Sequence, residues 1–226
     1  MTAFPEEPIY EQLARIGKVL SSPVRLRLLD VLDQRERTVE ELAEEAGIAL
    51  KNTSAQLQRL RDAHLVTSRK EGTRVYYRLA DEDVSRFLGG LQDFAQGRLA
   101  DLREAVTLHL GLAEGVTAGE LAGRLGDPGT IVVDVRSAGA YAEAHLPGAL
   151  SLPLAELQDR LAELDARLAG LPRDAEIVAY CGGPYCVVSP KAVRLLRERG
   201  YTARPLDGGL TGWRRSGRPV QAGRTS

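Results

Sequence analysis

The stretch "YCGGPYCVVSPKA", residues 180–192, holds both cysteines of the 226-residue chain, Cys181 and Cys186, around a Gly-Gly-Pro turn. Before it stands "EIVAY", whose apolar run suits a strand buried on both faces, and after it "VSPKAVRLLRERG" reads as a helix closed by Gly200. Strand, loop and helix in that order put Cys181 at the carboxyl end of a strand, where open α/β sheets hold their ligands. Two cysteines in a chain of this length make no secreted disulfide framework, and the three histidines, His64, His109 and His145, are too scattered for zinc-ligand spacing. Reduced, reactive thiols are expected, with no metal site and no cofactor.

The loop itself suggests how a thiol would be activated. Gly182 and Gly183 permit unusual dihedrals, Pro184 stiffens the turn and removes one donor, and Tyr185 and Val187 complete the path to the helix. Backbone N–H groups turned inward, with a helix N-terminus behind them, predict that Cys181 is held as a thiolate. Cys186 has two readings: a small filler at the helix start, or a resolving thiol for Cys181.

Outward from the loop, the second half alternates strands and helices. "TIVVDVR" is a second buried strand, followed by a helix through Ala140 to Glu143, the strand-like "ALSLPL" and a helix from Ala155 to Leu168, so the sheet is expected to be parallel. Upstream, "GLAEGVTAGE" is small and Gly-rich. It gives a linker at 111–116 and a second domain at 117–226, opened by a capping box of Thr117 and Glu120.

"VDVRSAGAYAEAHLPGALSLPL" and "IVAYCGGPYCVVSPKAVRLLRERGYTARPLDGGLTGWRRSGRPV" resemble a rhodanese domain over roughly residues 117 to 222. The resemblance implies a sulfurtransferase whose cysteine takes a sulfane sulfur, holds it as a persulfide and passes it to a nucleophile such as cyanide or another thiol. It makes Cys181 the nucleophile. Asp134 and Arg136 of "DVR" are supporting residues that order the loop or form a structural ion pair; His145 shapes a turn, and Trp213 closes the core. The chain departs from the pattern in one respect: rhodanese loops often carry a cation suited to the sulfonate of thiosulfate, and none stands between Cys181 and Cys186. A related phosphatase or arsenate-reductase loop is one residue longer and ends in arginine, where this chain has Val187.

The first half reads differently. From Ile9 to Leu32 apolar residues recur at helical spacing and pause at "SSP", where Ser22 is expected to cap a helix that starts at Pro23. "TVEELAEEAGIALKNTSAQLQRLRDAHLV" opens on a capping box of Thr38 and Glu41, stops at Gly47, and resumes as a helix with Ile48, Thr53, Leu57 and Leu60 on its buried side. That leaves Lys51, Asn52, Ser54, Gln58 and Arg59 toward solvent, a set of donors and acceptors suited to a DNA groove. "VTSRKEGTRVYYRLA" alternates about "KEGT" as a hairpin that carries Arg69, Lys70, Arg74 and Arg78. Between Ala46 and Leu79 seven basic residues face two acidic ones, although the whole chain has a net charge of −1. One long amphipathic helix is expected from Asp83 to Leu110, with Phe87, Leu88 and Phe94 along its apolar side.

"LSSPVRLRLLDVL" with "TVEELAEEAGIALKNTSAQLQRLRDAHLVTSRKEGTRVYYRL" resembles the ArsR family of bacterial repressors over roughly residues 10 to 80. The resemblance implies a winged helix-turn-helix domain, here 1–110, that binds operator DNA as a homodimer through its long helix. Metal-sensing members carry cysteines on the recognition helix or the one before it; this chain has none there, and His109 is assigned no role.

The fold class expected is therefore a mainly α winged helix-turn-helix followed by an α/β rhodanese-like domain with a parallel sheet. The function expected is a DNA-binding regulator, read as a repressor, in which a Cys181 persulfide couples reactive sulfur to operator binding. Its partners would be double-stranded operator DNA, a second copy of the chain, and a sulfane-sulfur donor: polysulfide, a low-molecular-weight persulfide or thiosulfate. Two alternatives stand beside it, a sulfurtransferase whose winged helix serves mainly dimerisation, and an arsenate-linked enzyme. The start "MTAFPEEPIYEQL" is acidic where a secretory signal needs a basic segment, and no run approaches roughly 18 apolar residues, so a soluble cytoplasmic protein with no membrane partner is expected.

Overall fold

The computed structural model describes residues 4–110, 115–168 and 175–222, and the chain divides into two compact units, residues 1–88 and 89–226. In the first unit the order is α1 (Glu7–Leu20), α2 (Pro23–Leu32), β1 (Arg37–Thr38), α3 (Val39–Ala46), α4 (Leu50–Asp62), β2 (Val66–Glu71) and β3 (Arg74–Leu79). Then comes α5 (Glu82–Arg98), within which the division falls. Leu28, Leu29, Leu42, Leu57 and Leu60 are fully buried in one core, with Leu88 of α5 joining it. Thr53, Leu57 and Leu60 lie on the buried side of α4, as its periodicity requires, while Ile48 packs against the core only in part.

Local chemistry accounts for the boundaries. Thr38 and Glu41 form the capping box of α3, which stops at Gly47 in the left-handed conformation. Ser22 is at the start of α2 with Pro23 in the first position, where its missing N–H costs nothing, but the Ser22 side chain makes no cap bond. β2 and β3 pair antiparallel from Val66↔Leu79 to Glu71↔Arg74, and Gly72 takes a φ of 59° in the two-residue turn. The two-residue strand β1 adds to the outer side of β3.

The long helix expected from Asp83 to Leu110 is two helices, α5 and α6 (Ala100–Leu110). The Arg103 guanidinium donates to the Gln96 carbonyl at 2.5 Å, taking an acceptor that a continuous helix would use for its own ladder.

The second unit continues with α7 (Ala118–Arg124), β4 (Thr130–Asp134), α8 (Ala138–Glu143), β5 (Leu150–Ser151), α9 (Leu161–Leu168), β6 (Glu176–Tyr180), α10 (Val188–Glu198), β7 (Ala203–Pro205) and α11 (Gly209–Arg215). Its four strands run parallel in the order β5-β4-β6-β7. Two clusters of buried side chains, one containing Val133, Ile177 and Leu196 and the other Val178, Tyr180 and Trp213, cover the sheet. Residues 111–114 of the expected linker lie outside the described residues, while Val116 is fully buried and its N–H bonds Pro205 O at 2.8 Å. Thr117 and Glu120 form the capping box of α7. The helix expected from Ala155 starts at Leu161, because the preceding segment forms turns, with Glu156 N–H bonding Pro153 O and Asp159 N–H bonding Glu156 O.

Candidate functional site: a buried thiol and an exposed basic face

Cys181 follows β6 directly and is 1% exposed. Its Sγ is 3.2 Å from Ser189 Oγ on the first turn of α10, 3.8 Å from the Gly183 carbonyl and 3.7 Å from the Cys186 carbonyl. This corrects the expected activation: the loop offers Sγ carbonyl acceptors, to which a thiol donates and which a thiolate repels. Burial pushes the Cys181 pKa well above its ordinary value, and the neighbouring Cys186 thiol adds to the rise. Only Ser189, through its hydroxyl and its N–H, favours the thiolate. The helix N-terminus therefore contributes, but desolvation outweighs it.

The loop is held from below by α11. Leu210 N–H bonds the Cys181 carbonyl and Thr211 N–H the Gly182 carbonyl, each at 2.9 Å. Gly209, at φ 57°, comes so close that a Cβ there would lie 2.6 Å from the Cys181 carbonyl oxygen. These bonds explain "LDGGLTGW": the glycines let the helix start against the loop backbone, and Trp213 closes the core with its Nε1–H on the Pro219 carbonyl at 2.8 Å.

Within the same unit the Gln96 amide of α5 donates to the Tyr185 hydroxyl at 3.1 Å. Cys186 and Tyr185 are half-buried and Val187 is exposed, so one side of the loop meets solvent while Cys181, Gly182 and Gly183 are buried.

Asp134 and Arg136 form an ion pair at 2.6 Å, with Asp134 fully buried. Arg136 also donates to the Ala144 carbonyl at 2.5 Å and lies over the Tyr180 ring. Tyr180 in turn accepts from Leu146 N–H at 3.0 Å. The pair thus fixes the end of β4 and the turn at 144–146 next to the residue that precedes Cys181. His145 belongs to that turn, stacked on Tyr141 with centroids 3.9 Å apart. Ser189 and Gly209 are not marked as site residues in the sequence by any motif; the position of Ser189 in the first turn of the helix that follows Cys181 was the signal available for it.

In the first unit Lys51, Asn52, Ser54, Gln58 and Arg59 of α4 and Arg69, Lys70 and Arg74 of the hairpin are all exposed. They differ in how far they are engaged. Lys51, Arg59, Lys70 and Arg74 make no ion pair among the described residues, whereas Arg69 pairs with Glu36 and Glu71, each at 2.5 Å, and lies over Tyr76. Asn52 Oδ1 accepts from Gln56 at 2.9 Å, Gln58 donates to Asp62 at 2.7 Å, and Ser54 bonds back to the Leu50 carbonyl. The described residues hold no cluster of three or more metal-ligating side chains and no helix long and apolar enough to cross a membrane.

Comparison with known proteins matches these two halves separately and together. A rhodanese-like domain model matches residues 117–216, and a helix-turn-helix domain model matches residues 20–69. Over 216 residues the chain is 44% identical to the HTH-type transcriptional regulator Rv0324 of Mycobacterium tuberculosis, covering 95% of this chain and 92% of that protein. Among solved structures, a homodimeric winged helix-turn-helix DNA-binding domain from Mycobacterium bovis, described as a possible ArsR-family regulator, is 42% identical with a TM-score of 0.41, over 45% of this chain and 94% of that one. A rhodanese-like domain from an Anabaena protein is 31% identical with a TM-score of 0.40, over 48% of this chain and 78% of that one.

Proposed function

Because the chain belongs to the ArsR-type helix-turn-helix transcriptional regulators that carry a rhodanese-like domain, we propose that it is a sulfur-responsive repressor whose signal is a persulfide on Cys181. The observation that carries this reading is the thiol itself: Cys181 stands at the end of β6, bonded to Ser189 at the head of α10, in a loop whose Tyr185 is bonded to α5. In the proposed step Cys181 Sγ attacks the outer sulfur of a low-molecular-weight persulfide RS–SH. The donor's S–S bond breaks, a new S–S bond forms, and the proton from Cys181 leaves with the thiol RSH. Sulfur and hydrogen balance with no net change of oxidation. A second step gives Cys186 its role as resolving thiol: its attack on the Cys181 persulfide forms a Cys181–Cys186 disulfide and releases hydrogen sulfide.

Cys181 is buried at rest, so loading requires the surroundings of Sγ to open, and the raised pKa keeps Cys181 protonated until a donor enters. Polysulfide and low-molecular-weight persulfides are the favoured donors; thiosulfate lacks a cation in the loop to hold its sulfonate. The output is sequence-specific binding of an inverted repeat by a cytoplasmic homodimer, with Asn52 reading bases and Lys51, Arg59, Lys70 and Arg74 on phosphates. The exposed apolar residues Tyr10 and Leu13 of α1 and Phe87 of α5, all in the first unit, support self-association through that unit.

Peptide mass spectrometry after treatment with glutathione persulfide tests the chemistry. The expected result is a sulfur adduct on the wild type and on Cys186→Ala, and none on Cys181→Ser. An adduct persisting on Cys181→Ser would assign the nucleophile elsewhere.

A further inference from the structure

Between α1 and α4 of the first unit lies a concavity of about 400 Å³ lined by Arg15, Lys18, Arg25 and Arg59, with Val19 in its wall. The acid that lines it is Asp62, whose Oδ1 accepts from Gln58 at 2.7 Å. Four cations line it against one carboxylate, an excess of positive charge that an anion would offset, most of all at the buried Arg25.

Arg25 sets the depth of the site, with 8% of its surface exposed. Its Nε donates to the Val19 carbonyl, its Nη2 to the Lys18 carbonyl at 2.9 Å and its Nη1 to Gln56 Oε1 at 2.9 Å. All three acceptors are neutral, and no carboxylate pairs with Arg25 among the described residues. A guanidinium carries five N–H donors, so two remain beyond those three bonds. A cation this deeply buried is ordinarily matched by an ionised partner.

We propose that this concavity is an oxyanion site that takes a phosphate-type group, delivered as a free ion or as a phosphate of the DNA backbone. Gln56, which accepts from Arg25, donates to Asn52 Oδ1 at 2.9 Å, and Arg59 lines the pocket while standing on the exposed side of α4. Arg25 is thus joined to α4 by one hydrogen bond, and a second within α4 carries the link on to Asn52, the proposed reading residue. The backbone-phosphate source rests on the DNA-binding reading above; the free-ion source does not.

The test uses the full chain and the double variant Arg15→Gln/Lys18→Gln. Both side chains are exposed, and Lys18 supports Arg25 only through its backbone carbonyl, so the fold keeps its supports. Calorimetric titration with inorganic phosphate, sulfate and thiosulfate at constant ionic strength reads the free ion; salt-dependent binding to a random-sequence duplex reads the backbone phosphate. If the free ion is the occupant, the double variant loses roughly tenfold in oxyanion affinity, the size of one or two charge-assisted bonds, while Arg15→Lys retains most of it. If the DNA backbone is the occupant, no free ion binds at millimolar concentration, and the salt slope of duplex binding falls by about 0.9, the counterion release of a single neutralised phosphate. A wild type that binds no duplex would defeat the DNA reading and leave the oxyanion titration to decide the site. No oxyanion binding, together with a salt slope unchanged by the double variant, overturns the proposal.

Discussion

The Cys181 loop and α4 are both polar regions, but they are built in opposite ways. Around Cys181 the contacts are mostly backbone: carbonyls of Gly183 and Cys186 at the sulfur, and N–H groups of Leu210 and Thr211 on the loop carbonyls beneath it. The reactive atom is almost wholly buried. On α4 and the hairpin the candidate groups are side chains in solvent, held by bonds to neighbouring residues or by none. A site made of backbone tolerates almost no change of shape, whereas a site made of exposed side chains tolerates loss of one member at modest cost. Substitutions in the two regions should therefore differ in kind.

The largest effect is expected at Gly209. A Cβ 2.6 Å from the Cys181 carbonyl, on a residue in the left-handed region, forces the loop and α11 apart. Gly209→Ala should lower stability by about 2–3 kcal/mol, as other strained and overpacked sites do, and abolish persulfide formation while leaving DNA binding in place. Thermal melts and mass spectrometry check it. Equal loading of variant and wild type would contradict the backbone-built character of the Cys181 loop.

Next in size is Ser189→Ala, which removes the hydroxyl that favours the Cys181 thiolate. Persulfidation at pH 7.5 should slow by roughly tenfold, the scale of one hydrogen bond to a charged group. The pH profile carries the same physics. With its pKa raised, Cys181 stays a thiol through neutrality, so its alkylation rate should climb about tenfold per pH unit from pH 7 to 9 without a plateau. A plateau near pH 7 would show the activated thiolate that the loop sequence suggested.

The smallest effects belong to the exposed face. Arg74→Gln removes a cation that makes no ion pair among the described residues and should lower the salt slope of DNA binding by about 0.9. Arg69→Gln should change it less, since that guanidinium already pairs with Glu36 and Glu71. Equal slopes for the two variants would mean that these ion pairs open when DNA arrives.

Much of this was legible in the sequence because it rests on local periodicity and turn chemistry. The capping boxes at Thr38 and Thr117, the hairpin about Gly72 and the buried strands "TIVVD" and "EIVAY" each follow from a few adjacent residues. The short strands β1 and β7 were not legible, since two or three residues carry no period and exist only by pairing with β3 and β6. The protonation of Cys181 was not legible for a related reason. Glycines and a following helix suggest a nest of N–H groups, but which way the peptides turn is fixed by α11, some 30 residues later in the chain. Ser189 was likewise visible only as one more helical residue until the loop brought it to the sulfur.

The claim that joins the two regions is that sulfur on Cys181 changes DNA binding. The path available within the second unit is the hydrogen bond that the Gln96 amide on α5 donates to the Tyr185 hydroxyl; the first turns of α5 place Leu88 in the winged-helix core. A persulfide or a Cys181–Cys186 disulfide must reshape the loop that carries Tyr185, and a ligand shifts a population only through a difference in free energy between its states. Couplings of this kind are typically about 5- to 150-fold in affinity. The deciding measurement is an anisotropy titration of operator DNA with wild type and Cys181→Ser, each before and after treatment with a sulfane-sulfur donor. The account predicts a shift of at least about fivefold for wild type and none for Cys181→Ser. Unchanged wild-type affinity, with mass spectrometry showing Cys181 fully persulfidated, would contradict it.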